Sequence, residues 1–442
     1  MNGRKRLLTF GAATVLLGLA SAASAETWSR GYLVDRLEPA LFFGGPEKVT
    51  EDGRRSLAAG DPGADCPTGI AKSETAEMLR VPWRSEKEVR TLVEGTADAQ
   101  AAQGVQGIAL AERGYRPGIN VYFSPYAAPD PGQVEVSGTV AEGFDLDKNP
   151  KTGGFVSPDG VQGIDNALYR AVGCLTTWRG GIAAGAHQVG FADDVRRVGK
   201  WVNTVIRISG SKDPMNDDDA TLEIAWSPDG AIADAQGELA SGYSFRMAHG
   251  ARYTKVKAKI VNGVIETEVT PEFRTSGLAG EAPGTAELII YQGRMKLTLT
   301  PEGNLKGLLG GYVKWTTPYL DSGFTFSPTT KDTQYKNSNL MAEYYAIRRN
   351  ADAMPDPVTG RYTALSTAYR ISAVPAFVVE PKTEIVAPPH LFPDRLRLRN
   401  LFLTTIATNT PMAFRKEDLA DPRYSAVSER PKLTTASSLE SK

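Results

Sequence analysis

The clearest pattern along the chain is the alternation of apolar and polar positions between residues 250 and 315. Met295, Leu297 and Leu299 alternate with Lys296, Thr298 and Thr300. A period of two gives a strand one dry face and one wet face. ARYTKVKAKIV and VIETEVT flank Asn262-Gly263, a two-residue pair suited to the positive φ angles of a tight hairpin. AELIIY, MKLTLT and LKGLLGGYVKW follow, with turns expected at Gln292-Gly293 and at Pro301-Glu302-Gly303. Strands joined by such short turns are antiparallel neighbours. The expectation is a mainly β protein with flanking helices (α+β), with an antiparallel meander or partly closed barrel in the C-terminal half. Gly307, Gly310 and Gly311 predict a bend or bulge in the last of these strands.

Elsewhere the pattern is mixed. Residues 85–113 read as a helix, with Ser85 and Glu88 at capping-box spacing. NVYFSPY and QVEVSGTVAEGFDL alternate in strand fashion, as do WVNTVIRIS and ATLEIAW. Asp165 is expected to cap a short helix, 166–177, that carries Cys174. Residues 338–350 read as a helix with Leu340, Tyr344 and Ile347 on one face, and DPVTG (356–360) as a turn. TALSTAYRISAVPAF reads as a second helical or mixed segment ending near Pro375. The polar tail from about 425 is expected to be disordered. The organisation expected is a mixed α/β region at 26–245, a β meander with helices at 246–380, and an extension at 381–442.

The first residues suggest export. Arg4, Lys5 and Arg6 precede the apolar stretch Leu7–Leu19, and Ala23-Ser24-Ala25 offers a cleavage site. This is the order of a secretory signal peptide, expected here over residues 1–25. The apolar stretch is shorter than the roughly 20 residues that cross a bilayer. No later apolar run is long enough to do so. The expected location is the periplasm or the medium, without a transmembrane segment after cleavage.

Composition sets few further limits. Lys plus Arg total 50 against 51 Asp plus Glu, and the formal net charge is −1. No basic excess points to nucleic acid. In an oxidising compartment the two cysteines, Cys66 and Cys174, read most simply as a disulfide. The alternatives are two free thiols or a metal site. His187, His249 and His390 stand far apart and give no zinc-ligand spacing.

The sharpest chemistry lies in GFDLDKNPKTGGFVSPDGVQGIDN. Asp145, Asp147 and Asn149 fall at alternate positions, and Asp159 and Asp165 follow. A tight turn would aim their oxygens at one centre, with carbonyls near residues 151–154 adding to the shell. Calcium is a hard cation that takes about six to eight oxygens. Residues 145–165 resemble the calcium loops of EF-hand-like and thrombospondin type 3 proteins. The resemblance implies a calcium site and extends to these residues alone. Pro150 and Val156 stand where the EF-hand pattern has Gly and a bidentate Glu, so the loop is longer, with Asp159 or Asp165 as its late ligand. The other reading is a solvated turn without metal. The wider stretch also resembles exported bacterial proteins of uncharacterised activity, which implies no activity here.

Two function classes remain. One is a noncatalytic, calcium-stabilised exported protein that binds a protein partner or a glycan. The other is a secreted hydrolase that cleaves a polysaccharide through paired carboxylates, among Glu223, Glu238, Glu266 and Glu268. No GxSxG, HExxH or GxxxxGK[ST] occurs. The acidic run Asp213, Asn216 to Asp219 reads as an exposed acidic turn; the other reading is a second calcium loop, or a further ligand to the first. Trp178, Trp201, Trp226, Trp315, Tyr344 and Tyr345 could form a sugar-binding face but read mostly as core.

Overall fold

The computed structural model describes residues 28–42, 203–232, 239–248, 254–275, 288–323 and 340–382, most of 130–178, and short pieces near 48–66, 124–127 and 403–407. In chain order the strands are β1 (Trp28–Pro39), β2 (Lys48–Val49), β3 (Arg55–Ser56), β4 (Phe155–Val156), β5 (Gln162–Ile164), β6 (Asn203–Gly210), β7 (Asp217–Ser227) and β8 (Ser244–Arg246). They continue as β9 (Thr254–Val261), β10 (Val264–Thr267), β11 (Thr270–Thr275), β12 (Leu288–Leu299), β13 (Leu305–Lys314), β14 (Ala353–Pro355) and β15 (Tyr362–Val379). The α-helices are α1 (Ala167–Val172), α2 (Thr316–Gly323) and α3 (Leu340–Arg349).

Eight strands, β1, β6, β7, β9, β10, β12, β13 and β15, pair antiparallel in sequence order. The last pairs with the first, Gly31 opposite Ala376 through Pro39 opposite Tyr369, and closes an up-and-down barrel. Alternation dictates which side is in. Along β9, Thr254, Val256, Ala258 and Ile260 are buried, while Lys255, Lys257, Lys259 and Val261 are exposed. The inward residues of all eight strands form one apolar cluster, including Ile206, Leu222, Ile260, Leu297, Leu309 and Tyr369. Outward, Lys255 pairs with Glu223 at 3.1 Å and Lys296 with Glu266 at 3.0 Å. Among the described residues no helix is long and apolar enough to cross a membrane.

Several local expectations change. Gln292-Gly293 is no hairpin turn. It lies inside β12, where the register with β13 shifts between Tyr291 and Arg294 and Gln292 takes a φ of 50°. The extra residue makes a bulge, which twists and bends the strand as closure requires. The glycines of β13 mark no bulge of their own, since β13 pairs with β15 in unbroken register. Gly310 instead gives the Phe144 ring a seat that a Cβ would occupy.

Residues 363–377 form no helix. They belong to β15, an 18-residue strand. Its inward Leu365, Thr367, Tyr369, Ile371 and Ala373 hold to a period of two. Pro375 is tolerated because it lies past Ala373, the last partner of β13 on that side. The expected hairpin at Asn262-Gly263 forms, with φ angles of 51° and 77°. The barrel takes strands from both sides of residue 245.

Two layers cover parts of the outer wall. On one side Leu33, Val205, Ala225 and Ala376 pack under Leu239, Phe245 and Met247. On the other, the described residues of 134–175 lie over β12, β13 and β15 together with α3. The expected strand at 133–146 is absent. The stretch makes only isolated bridges, Val140 with Val156 and Phe144 with Asp165. The cap of α1 is Asn166 rather than Asp165, its side chain accepting from Tyr169 N. The helix expected at 85–113, the signal segment and the C-terminal tail lie outside the described residues.

Candidate metal centre

The acidic loop is built on the barrel's outer wall. The bridge between Phe144 and Asp165 sets the two limbs side by side, with Asp165 N donating to Phe144 O at 2.9 Å. The short β4–β5 hairpin returns the chain to Asp165. Arg294 of β12 reaches out to donate to Asp145 O at 3.4 Å and Leu146 O at 3.2 Å. The Phe144 ring rests on Gly310 of β13. The loop is therefore fastened to the barrel by a cation beneath its backbone and an aromatic ring beside it.

Within the loop, Lys148 adopts a φ of 59°. That turn aims Asn149 N at two carboxylates, Asp145 Oδ1 at 3.0 Å and Asp147 Oδ1 at 2.7 Å. Thr152 Oγ1 donates to Asp147 Oδ2 at 2.5 Å. Asp165 accepts from Leu146 N at 2.7 Å and Asp147 N at 3.4 Å, both on Oδ2. Its Oδ1 takes no hydrogen bond among the described residues. Asp145, Asp147 and Asp165 each bring one oxygen within 4.8 Å of the other two. This cluster could hold a metal ion.

The electrostatics fit unsatisfied negative charge. Burial pushes the Asp165 carboxyl above the usual range, and the charges of Asp147 and Asp352 add to the rise against its two backbone bonds. The Thr152 hydroxyl holds Asp147 below the usual range. Burial, followed by the charges of Asp165, Asp352 and Asp147, pushes Tyr312 up to about 12. Asp352 is raised by burial despite its bonds from Ser366, with the Asp147 charge contributing. Three carboxylates thus repel one another beside a phenol that stays protonated. A cation placed among them would relieve that repulsion.

Of the five residues nominated from sequence, the structure brings Asp145, Asp147 and Asp165 together. Asn149 sits in the same turn, its Oδ1 accepting from Lys151 N at 3.3 Å. Asp159 does not join the cluster. It lies exposed in the β4–β5 turn, where Ser157 Oγ donates to it and Lys296 is its nearby cation. Hairpin geometry explains this, because the turn carries Asp159 to the far end from the bridge at Asp165. Sequence reading takes Asp352 as part of an acidic turn with Asp356 and gives Tyr312 no role; they stand just before β14 and in β13. Asp352 accepts from Ser366 N at 2.7 Å and Ser366 Oγ at 2.6 Å. It nears the loop because Ser366 of β15 holds it there, beside Tyr312 of β13.

The other candidates resolve into structural roles. Cys66 and Cys174 form the disulfide. Asp217 is buried at the start of β7, where it accepts from Trp28 Nε1, Ser211 N, Lys212 N and Asp219 N. Asp218 and Asp219 pair with Lys212 and Lys257. Glu223 is held by Arg207 and Lys255, and Glu266 by Lys296. Trp315 and Tyr319 each pack edge-on against Tyr344 and meet each other at a tilt. Trp178 is buried. Trp201, Glu238 and the three histidines lie outside the described residues. Compared with protein-family models, curated proteins and solved structures, the chain matches none.

Proposed function

We propose that the acidic loop holds a structural calcium ion, and that the protein is an exported, noncatalytic scaffold that binds a protein partner or a glycan. The observation that carries the calcium reading is the convergence of Asp145, Asp147 and Asp165 within 4.8 Å. The donors are all oxygens, which select a hard cation over zinc or copper. Carboxylates that bind by one or both oxygens suit the large, irregular shell of calcium better than the strict octahedron of magnesium. The ion's role is to order a segment whose strands, β4 and β5, have two and three residues. Such strands bury too little to hold themselves.

Export is supported by the leader-like start of the sequence and by the disulfide, which persists outside the reducing cytoplasm. A noncatalytic role is supported by the barrel interior, which is filled by apolar side chains and leaves recognition to the outer wall and loops. Thermal melting tests the calcium reading. Calcium at about 100 times its Kd should stabilise the fold by about 2.7 kcal/mol relative to chelator. Equal melting in calcium and in chelator would refute it.

A further inference from the structure

We infer that the Cys66–Cys174 disulfide sets the cation affinity of the acidic cluster, because one short helix joins the two. The inference rests on the calcium reading above. Helix α1 spans only Ala167–Val172, with Asp165 just before it and Cys174 just after. Its start is pinned to the barrel and to the loop's incoming limb. Asn166 Nδ2 donates to Ala40 O at 3.0 Å and Glu142 O at 2.9 Å. Ala167 N donates to Ser366 Oγ at 2.9 Å, and Ser366 is the residue that binds Asp352.

Its far end is pinned by the disulfide and by the residue beside it. Tyr169 Oη donates to Asp65 Oδ2 at 2.7 Å. Asp65 O accepts from Ser137 N at 2.9 Å and Gly138 N at 3.3 Å. Val136 N donates to Arg170 O at 2.9 Å. The stretch 136–138 then leads into the loop through Ala141 N, which donates to Val156 O at 3.0 Å. The disulfide thus holds Asp65 where it ties α1 to the limb that delivers Asp145 and Asp147. Both cysteines are buried, at 1% and 0% exposure. Asp165 is aimed by two backbone bonds to one oxygen, so its position depends on how α1 and that limb sit together. Cation and disulfide favour the same arrangement, and linkage makes each strengthen the other.

Calorimetric titration with calcium compares the oxidised protein with Cys66→Ser/Cys174→Ser. The variant should bind roughly tenfold more weakly, within the usual span of coupling between sites. Equal affinities would overturn the inference and leave the calcium reading intact. Absence of calcium binding by the oxidised protein would remove both. Should the variant fail to fold, the reciprocal effect is read on the native chain. Dithiothreitol gives the disulfide two electrons and two protons, leaving two cysteine thiols and its own cyclic disulfide. Half-reduction in calcium should need a roughly tenfold higher ratio of reduced to oxidised reagent than in chelator. Identical ratios would overturn the inference.

Discussion

The barrel and the layer over its outer wall are built on opposite terms. The barrel has long strands, β12 with 12 residues and β15 with 18, and one continuous apolar interior. The layer at 134–178 has strands of two and three residues and a helix of six. It is tied down by Arg294, by side chains that cap backbone groups, and by a disulfide. Where alternation runs long enough, burial of apolar surface alone fixes the structure. Where it does not, the chain relies on a covalent cross-link and on polar anchors, and it gathers three carboxylates that could hold an ion. The site belongs to the second region and borrows rigidity from the first.

The largest separation between the regions should come from the interior. Leu297→Ala removes a fully buried side chain of β12, at a cost of about 2–5 kcal/mol. Denaturant unfolding should show that loss equally with calcium and with chelator. A loss that calcium abolishes would mean that the barrel depends on the layer. Next comes Asp165→Asn, which removes a ligand charge but keeps the shape. Calcium-dependent stabilisation of about 2.7 kcal/mol at saturating ion should fall to near zero, while the melt in chelator stays within about 1 kcal/mol of the parent. A parent-like calcium response would exclude Asp165 from the site.

The smallest effect is the pH dependence. Asp165 and Asp352 are raised in the folded chain, chiefly by burial. The folded state therefore holds their protons more tightly than the unfolded state. Without calcium, stability from these two groups is complete below the ordinary carboxylate pKa of about 4 and is lost as pH rises through the raised values. Asp147 is lowered and contributes in the opposite sense, being lost as pH falls. The stabilisation given by calcium should accordingly grow as pH rises from about 4, since the ion favours the charged carboxylates. A calcium increment that is flat across that range would contradict the assignment.

Much of the barrel was legible because its physics is local. The β9–β10 hairpin follows from Asn262-Gly263, and the face of β12 from Met295, Leu297 and Leu299. The disulfide followed from compartment and count. Other parts depend on closure, which sequence patterns do not carry. β15 reads as helical or mixed because Ala364, Ser366 and Ala368 are small and sit under the outer layer, which hides the alternation. Gln292-Gly293 carries turn chemistry that serves a bulge equally well. The three clustered carboxylates, Asp145, Asp147 and Asp165, were nominated from the acidic stretch itself, whereas Asp352 and Tyr312 come near them only through the pairing of β13 and β14 with β15.

The most direct test is a crystal structure grown in calcium, with the ion identified by anomalous scattering. One ion is expected on the outer wall, with oxygens of Asp145, Asp147 and Asp165 at about 2.3–2.6 Å. Density showing those three side chains turned apart into solvent, with no ion between them, would contradict that expectation.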